Sequence, residues 1–185
     1  MPFEFKRLEI PEVILIKPKV YKDDRGFFLE THKKEDMEKN GIKGEFVQDN
    51  HSGSERGVLR GLHFQKEPYA QAKIIRCTRG IIYDVSVDLR QNSPTFSRYL
   101  GLVLSEHNKH QLYVPKGCAH GFLVLSDVAE VEYKVDNVYA PEYEGGLIWS
   151  DPDVGVSWPL NDPILSKRDC LWPTLKNLAR EGNLF

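Results

Sequence analysis

Cysteine is scarce in these 185 residues: Cys77, Cys118 and Cys170 are odd in number and far apart. Such a set forms no disulfide framework, and without a C-x-x-C pair it makes no thiolate zinc site; it points to a reducing cytoplasm. Long apolar runs are missing, so no membrane-spanning helix is expected. The opening Met1-Pro2-Phe3-Glu4-Phe5-Lys6-Arg7 lacks the apolar stretch of a signal peptide, so secretion is not expected either. A dominant charge sign is missing too. The 25 Lys and Arg stand against 27 Asp and Glu, net -2. That balance gives no general field for nucleic acid or a membrane surface, and an anionic ligand would need a local cluster of Arg and Lys. No G-x-S-x-G, P-loop or G-x-G-x-x-G occurs, which leaves nucleophilic hydrolysis, ATP use and a Rossmann cofactor without support.

What is present is mostly strand. Ile81, Tyr83, Val85, Val87 and Leu89 alternate with Ile82, Asp84, Ser86 and Asp88; Ala129, Val131, Tyr133 and Val135 alternate with Glu130, Glu132 and Lys134. Period two predicts a half-buried strand in each case. Tyr99–Leu104, Gln111–Val114 and Phe122–Leu125 also read as extended. The connections are short and carry Gly, Pro, Asn or Ser, as in Arg79-Gly80 and Asn92-Ser93-Pro94. Many short strands at even spacing predict an all-β sandwich or barrel. Two short flanking helices are expected, Lys33–Lys39 ending at Asn40-Gly41 and Thr174–Arg180. No linker divides the chain, so residues 1–185 read as one domain, with an N-terminal strand arm and a C-terminal helical tail.

Several polar residues sit inside these apolar strands. In Gly57–Phe64 a regular strand points Leu59, Gly61 and His63 to one side and Arg60 to the other, unless Gly61 makes a bulge. His63 is then either a core histidine satisfied by a hydrogen bond or a working base. Lys73 shares a face with Ile75 and Cys77; it snorkels to solvent or serves a site. Tyr133 lies on the apolar side of its strand, as packing or as a donor. In Ser166-Lys167-Arg168-Asp169, Ser166 reads as a helix cap with Asp169 in the first turn; the rival reading makes Asp169 the partner of a histidine. The hairpin Pro115-Lys116-Gly117-Cys118-Ala119-His120 has the P-x-G-x-x-H form and resembles the second motif of the cupin superfamily. The first cupin motif would need an H-x-H pair, and position 65 is Gln65, so a complete metal site is not expected.

Taken in order, Asp23–Glu30, Gln48–Ser52, Gly57–Gln65, Tyr113–Ser126, Tyr139–Trp149 and Ser166–Asp169 resemble the dTDP-4-dehydrorhamnose 3,5-epimerase family over most of the chain. The resemblance implies a cupin-type jelly-roll barrel, no cofactor and no metal. It implies an enzyme acting on a dTDP-linked 4-keto sugar by proton transfer through an enolate. His63 matches the family's base, Asp169 the acid paired with it, Tyr133 a proton donor and Lys73 a lysine near the ketone. Arg25, Phe27, Glu30, Gln48, Asp49, Asn50, Arg60, His120 and Glu144 match substrate-binding positions. Tyr139 matches an aromatic residue that stacks on the base, and Arg168 stands where a lysine is usual; a planar fork replaces a point charge. The resemblance also implies a homodimer, in which Phe3–Val20 could supply an exchanged strand. Three alternatives stay open: a mono-epimerase or ketoisomerase on the same substrate class, a metal-dependent cupin using His63, His120 and a carboxylate, and a carbohydrate-binding jelly roll.

Overall fold

The computed structural model describes residues 2–185. Two antiparallel sheets carry the fold. The first holds β1 (Phe3–Arg7), β2 (Ile14–Pro18), β10 (Gln111–Val114), β7 (Lys73–Arg79), β12 (Val128–Val135) and β5 (Gln48–Glu55), in that spatial order. The second holds β13 (Glu144–Gly146), β6 (Leu59–Gln65), β11 (Cys118–Val124), β8 (Ile81–Asp88) and β9 (Tyr99–Ser105). A separate hairpin pairs β3 (Tyr21–Asp23) with β4 (Gly26–Phe28). The architecture is the expected cupin-type jelly roll.

Three apolar clusters explain why the sheets stack as they do. Ile75, Cys77, Leu112 and Val131 from the first sheet meet Ile82, Leu104, Phe122 and Val124 from the second, which defines the barrel interior. Outside the first sheet, Ile14, Ile16, Ile74 and Tyr113 are covered by Met37 of α1 (Lys34–Lys39) and by Ile42. Outside the second, Leu62, Phe64, Val85 and Val87 are covered by Leu147, Val154, and Leu175 and Leu178 of α2 (Leu175–Arg180). Burying one such Leu or Ile contributes about 1.5–3 kcal/mol. Both helices end as their residues dictate: Gly41 takes a positive φ of 92° after α1, and Thr174 caps α2 by accepting from Asn177 N–H.

The covering C-terminal segment corrects one expectation. β8 is not half-buried: Val85 and Val87 pack outward under α2, while Ile82, Asp84, Ser86 and Asp88 face inward, and all six are 0% exposed. The alternation is real, but its polar side is the barrel interior. β12 does follow the half-buried pattern, with Glu132 and Lys134 partly exposed on the outer side. The N-terminal strand pairs within its own chain, Phe3 opposite Pro18 and Arg7 opposite Ile14.

One close approach sets the geometry of the site. Where β6 crosses β11, a Cβ on Gly121 would lie 2.7 Å from the Arg60 carbonyl oxygen and 2.9 Å from Gly61 Cα. Gly61 also needs a φ of 140°, open to glycine alone among common residues. The pairing of β6 and β11 slips at this point, between His120 and Phe122. The slip is the bulge that the glycine hinted at, and it breaks the strict alternation between Arg60 and His63.

Candidate active site

A cavity of about 560 Å³ opens into the barrel. It is lined by Gln48, Asn50 and Ser52 of β5, Arg60 and His63 of β6, Lys73 of β7, His120 of β11 and Tyr133 of β12. Tyr139, Glu144, Arg168 and Asp169 complete its polar wall. Arg60 and His63 therefore face one space.

His63 Nε2 lies 2.6 Å from Asp169 Oδ1, and the Asp169 side chain is 4% exposed. The two residues are 106 positions apart in the chain. Burial opposes ionisation of Asp169, but the hydrogen bond and charge of His63, helped by Trp172 and Ser166, outweigh it and hold the carboxyl below its ordinary range. An ionised Asp169 keeps a proton on His63 Nε2 and leaves Nδ1 as the basic nitrogen. The two readings of the Ser166–Asp169 stretch are both realised. Asp169 N–H donates to Ser166 Oγ at 3.1 Å at the start of a 3₁₀ turn, Asp169–Leu171, and that turn aims the carboxylate at His63.

Lys73 is 9% exposed, and burial pulls its ammonium down to about 8, against the opposing pull of Asp84 and Glu144. Its Nζ reaches toward the His63 carbonyl oxygen at 3.5 Å. It does not snorkel. Tyr133 is raised above its ordinary range, by burial first and by Glu144 and Tyr139 in addition, although Arg60 acts the other way. The phenol thus keeps its proton at neutral pH and can donate it. His120 is buried, with Nε2 2.9 Å from Asp84 Oδ2, a second histidine–carboxylate pair beside the first. Its strand neighbour across the sheet is His63.

At the rim, Glu144 Oε2 accepts from Arg168 Nη1 at 2.6 Å and from the Tyr139 hydroxyl at 3.0 Å. Gln48 Oε1 accepts from Tyr139 N–H at 3.1 Å and its Nε2 donates to Asn50 at 2.9 Å. Gln65, where a metal-binding cupin would have a histidine, is spent on backbone. It donates to the Tyr69 and Val138 carbonyls and accepts from Ala140 N–H at 2.8 Å. Among the described residues no group of three or more His, Cys, Asp or Glu is placed to hold a metal ion.

Four candidate residues do not reach this cavity within one chain. Asp49 sits on β5 between Gln48 and Asn50, so the pleat turns it to the outer face, where it pairs with Lys134 at 2.9 Å. Arg25 and Phe27 belong to the hairpin of β3 and β4, where Arg25, among the described residues, bonds only to Asp23 and Phe27 is 57% exposed. Glu30 follows that hairpin and is exposed. Conversely, Asp84 and Trp172 were not singled out from sequence. Asp84 looked like the polar side of a half-buried strand, and Trp172 lies in no recognisable motif.

A cavity that brings together a histidine–carboxylate pair, a buried lysine and a half-buried tyrosine has the groups that acid–base chemistry needs. A jelly roll built only to bind sugar has no use for that set. Comparison with known proteins names the class more closely. The sequence profile of the dTDP-4-dehydrorhamnose 3,5-epimerase family matches residues 7–177. A relative of that name from Shigella flexneri is 52% identical over 164 residues, 88% of this chain and 91% of its own. The crystal structure of a Legionella pneumophila dTDP-6-deoxy-D-glucose-3,5-epimerase in complex with dTDP-4-keto-L-rhamnose superposes with a TM-score of 0.93 at 41% identity, covering 97% of this chain and 96% of that one. ChmJ, a 3'-monoepimerase from Streptomyces bikiniensis bound to dTDP-quinovose, gives a TM-score of 0.90 at 36% identity, covering 96% and 90%. The chain belongs to the dTDP-4-dehydrorhamnose 3,5-epimerase family.

Proposed function

We propose that this enzyme inverts C3 and C5 of dTDP-4-keto-6-deoxy-D-glucose to give dTDP-4-keto-L-rhamnose, a step of dTDP-L-rhamnose biosynthesis. The observation that carries the reading is the 2.6 Å His63–Asp169 pair facing the same cavity as Lys73 and Tyr133. A proton beside a ketone is acidic because the carbanion delocalises into an enolate. His63 removes that proton, and Asp169 orients the ring and stabilises the imidazolium. Lys73, held as a cation in a dry setting, stabilises the enolate oxygen. Tyr133 returns a proton from the opposite face, which completes the inversion. Arg60 and Arg168 suit the diphosphate oxygens, since a guanidinium can pair with two of them at once. Once substrate arrives, Glu144 must share Arg168 with it. Gln48, Asn50, His120 and Tyr139 bind the remainder of the dTDP-sugar. None of these steps calls for a metal or a nicotinamide.

Residues 1–185 act as one catalytic unit in this reading, and two copies associate. Arg25, Phe27 and Glu30 resemble substrate-binding positions yet lie outside their own cavity, on a stretch that also exposes Tyr21 and Phe28. The partner's Arg25 and Phe27 would complete the site. Light scattering of the purified protein is expected to give twice the chain mass; a stable monomer with full activity would remove the dimer. The three free cysteines suit the reducing cytoplasm, and no helix among the described residues is long and apolar enough to cross a membrane.

The reaction is tested in deuterated water with chelator and no added cofactor, reading the sugar by NMR. Deuterium is expected at both C3 and C5. Exchange at C3 alone would instead favour mono-epimerisation, the activity named for the similar ChmJ. No exchange at all would overturn the proposal.

A further inference from the structure

Trp172 touches the catalytic pair without lining the cavity. Its indole Nε1–H donates to Asp169 Oδ1 at 3.2 Å, the same oxygen that holds His63. Its ring meets the His63 ring edge-to-face, with centroids 5.9 Å apart and planes at 70°. The Arg168 guanidinium lies 5.8 Å from the indole centroid. The ring is seated on bare backbone: a Cβ on Gly146 would fall 2.2 Å from Trp172 Cδ2. Gly146 is the β13 residue paired with His63 on β6. A side chain there would drive the indole off the dyad. Four independent contacts therefore hold one ring in one place, and the ring's single donor is spent on the catalytic carboxylate.

We propose that Trp172 is a positioning residue for the His63–Asp169 pair, its indole N–H sharing Asp169 Oδ1 with His63 so that the carboxylate is fixed in direction and tempered in strength. The indole divides the negative charge of that oxygen between two donors. Without it, Asp169 pulls harder on a protonated His63, and the base is freed only at higher pH. The other charged and titratable groups around His63 all remain in a Trp172→Phe variant, which also keeps an aromatic face for Arg168. They are Lys73 from β7, His120 from β11 with Asp84 of β8 behind it, Tyr133 from β12, Glu144 from β13, Arg168 beside Asp169, and Arg60 on β6 itself. A shift on removing the indole N–H therefore reports on Trp172.

The inference rests on His63 being the base of the proposed epimerisation, so its test has one arm that needs no substrate. The chain has three tryptophans, and Trp172→Phe, which keeps an aromatic ring but loses the donor, assigns one indole N–H resonance in a ¹⁵N-labelled protein. In substrate-free wild type that resonance is expected to move with pH at the same midpoint as the His63 ring protons. In the second arm, Trp172→Phe is expected to move the acid limb of kcat/KM up by about half a pH unit, a loss of about threefold below the limb that fades above it. A resonance that stays still while His63 titrates would overturn the proposal. So would a kcat/KM lowered evenly at all pH values, the signature of a merely structural ring. If wild type shows no isotope exchange but the indole still follows His63, the proposed reaction fails and the positioning role stands.

Discussion

His63→Ala is expected to lower kcat by about 10²–10⁴-fold, the range by which a general base accelerates proton transfer. Deuterium uptake at C3 and C5 should fall with it, while KM for the dTDP-sugar changes little. The reason lies in which contacts are lost. His63 is the residue that Asp169 orients, whereas the candidates for holding the nucleotide and diphosphate, such as Tyr139 and Arg168, lie elsewhere on the cavity wall. The variant leaves the Asp169 carboxylate, 3% exposed, with the Trp172 indole N–H still donating to it. Loss of one charged hydrogen bond at a buried group costs about 1–3 kcal/mol of stability. That is tolerable for a folded domain, and circular dichroism beside the kinetics separates a folded, inactive variant from an unfolded one. Exchange at the wild-type rate in a folded His63→Ala protein would remove His63 as the base.

Lys73→Met is expected to make the protein more stable and nearly inactive. The ammonium is buried by the barrel wall, and burial draws its proton affinity from 10.5 down to about 8. The folded state thus holds a charge it disfavours at neutral pH, at a cost of about 3 kcal/mol. Methionine fills a similar volume without the charge, so denaturant unfolding at neutral pH should show a gain of about that size. The pH dependence has a definite sign. Below about 8 both folded and unfolded chains keep the proton, and the full gain is present. Between 8 and 10.5 the folded lysine has lost its proton while the unfolded one has not, so wild-type stability rises with pH and the advantage of the variant shrinks. Activity should move the other way, falling by about 10²–10³-fold, as when one preorganised donor to a developing oxyanion is removed. A variant no more stable than wild type at neutral pH would mean that Lys73 is solvated in solution. Wild-type activity would mean that the enolate oxygen is stabilised by another group, with His120 and its Asp84 partner a candidate on the same cavity wall.

Local chemistry was legible in the sequence wherever a residue's neighbours along the chain decide its fate. The period of two in β12 put Tyr133 on the inner face, and the β7 pattern put Lys73 beside Ile75 and Cys77. The Asn40-Gly41 stop marked the end of α1. The resemblance carried in the ordered segments supplied the reaction and most of the cavity wall. What sequence could not decide was which face of a strand is inside when both are covered. β8 alternates cleanly, yet only the C-terminal segment packed on Val85 and Val87 turns Asp84 into an interior carboxylate for His120. The same limit applied to Arg60, whose direction depends on two glycines from different strands meeting at less than the width of a side chain. It applied again to Asp169, whose own fragment read better as a helix start; only the resemblance pointed to His63, which the fold places 2.6 Å away across 106 positions. Trp172 had no signal at all, because its role exists only where the C-terminal turn lies against Gly146 and the dyad. Sequence by itself therefore determined the strand inventory, the inward lysine and tyrosine, and the family. The family resemblance also paired His63 with Asp169; tertiary structure alone decided the His120–Asp84 pair and the ring that braces the first. Hydrogen bonds and ring contacts between distant segments depend on sub-ångström placement, and no periodicity along a chain encodes that.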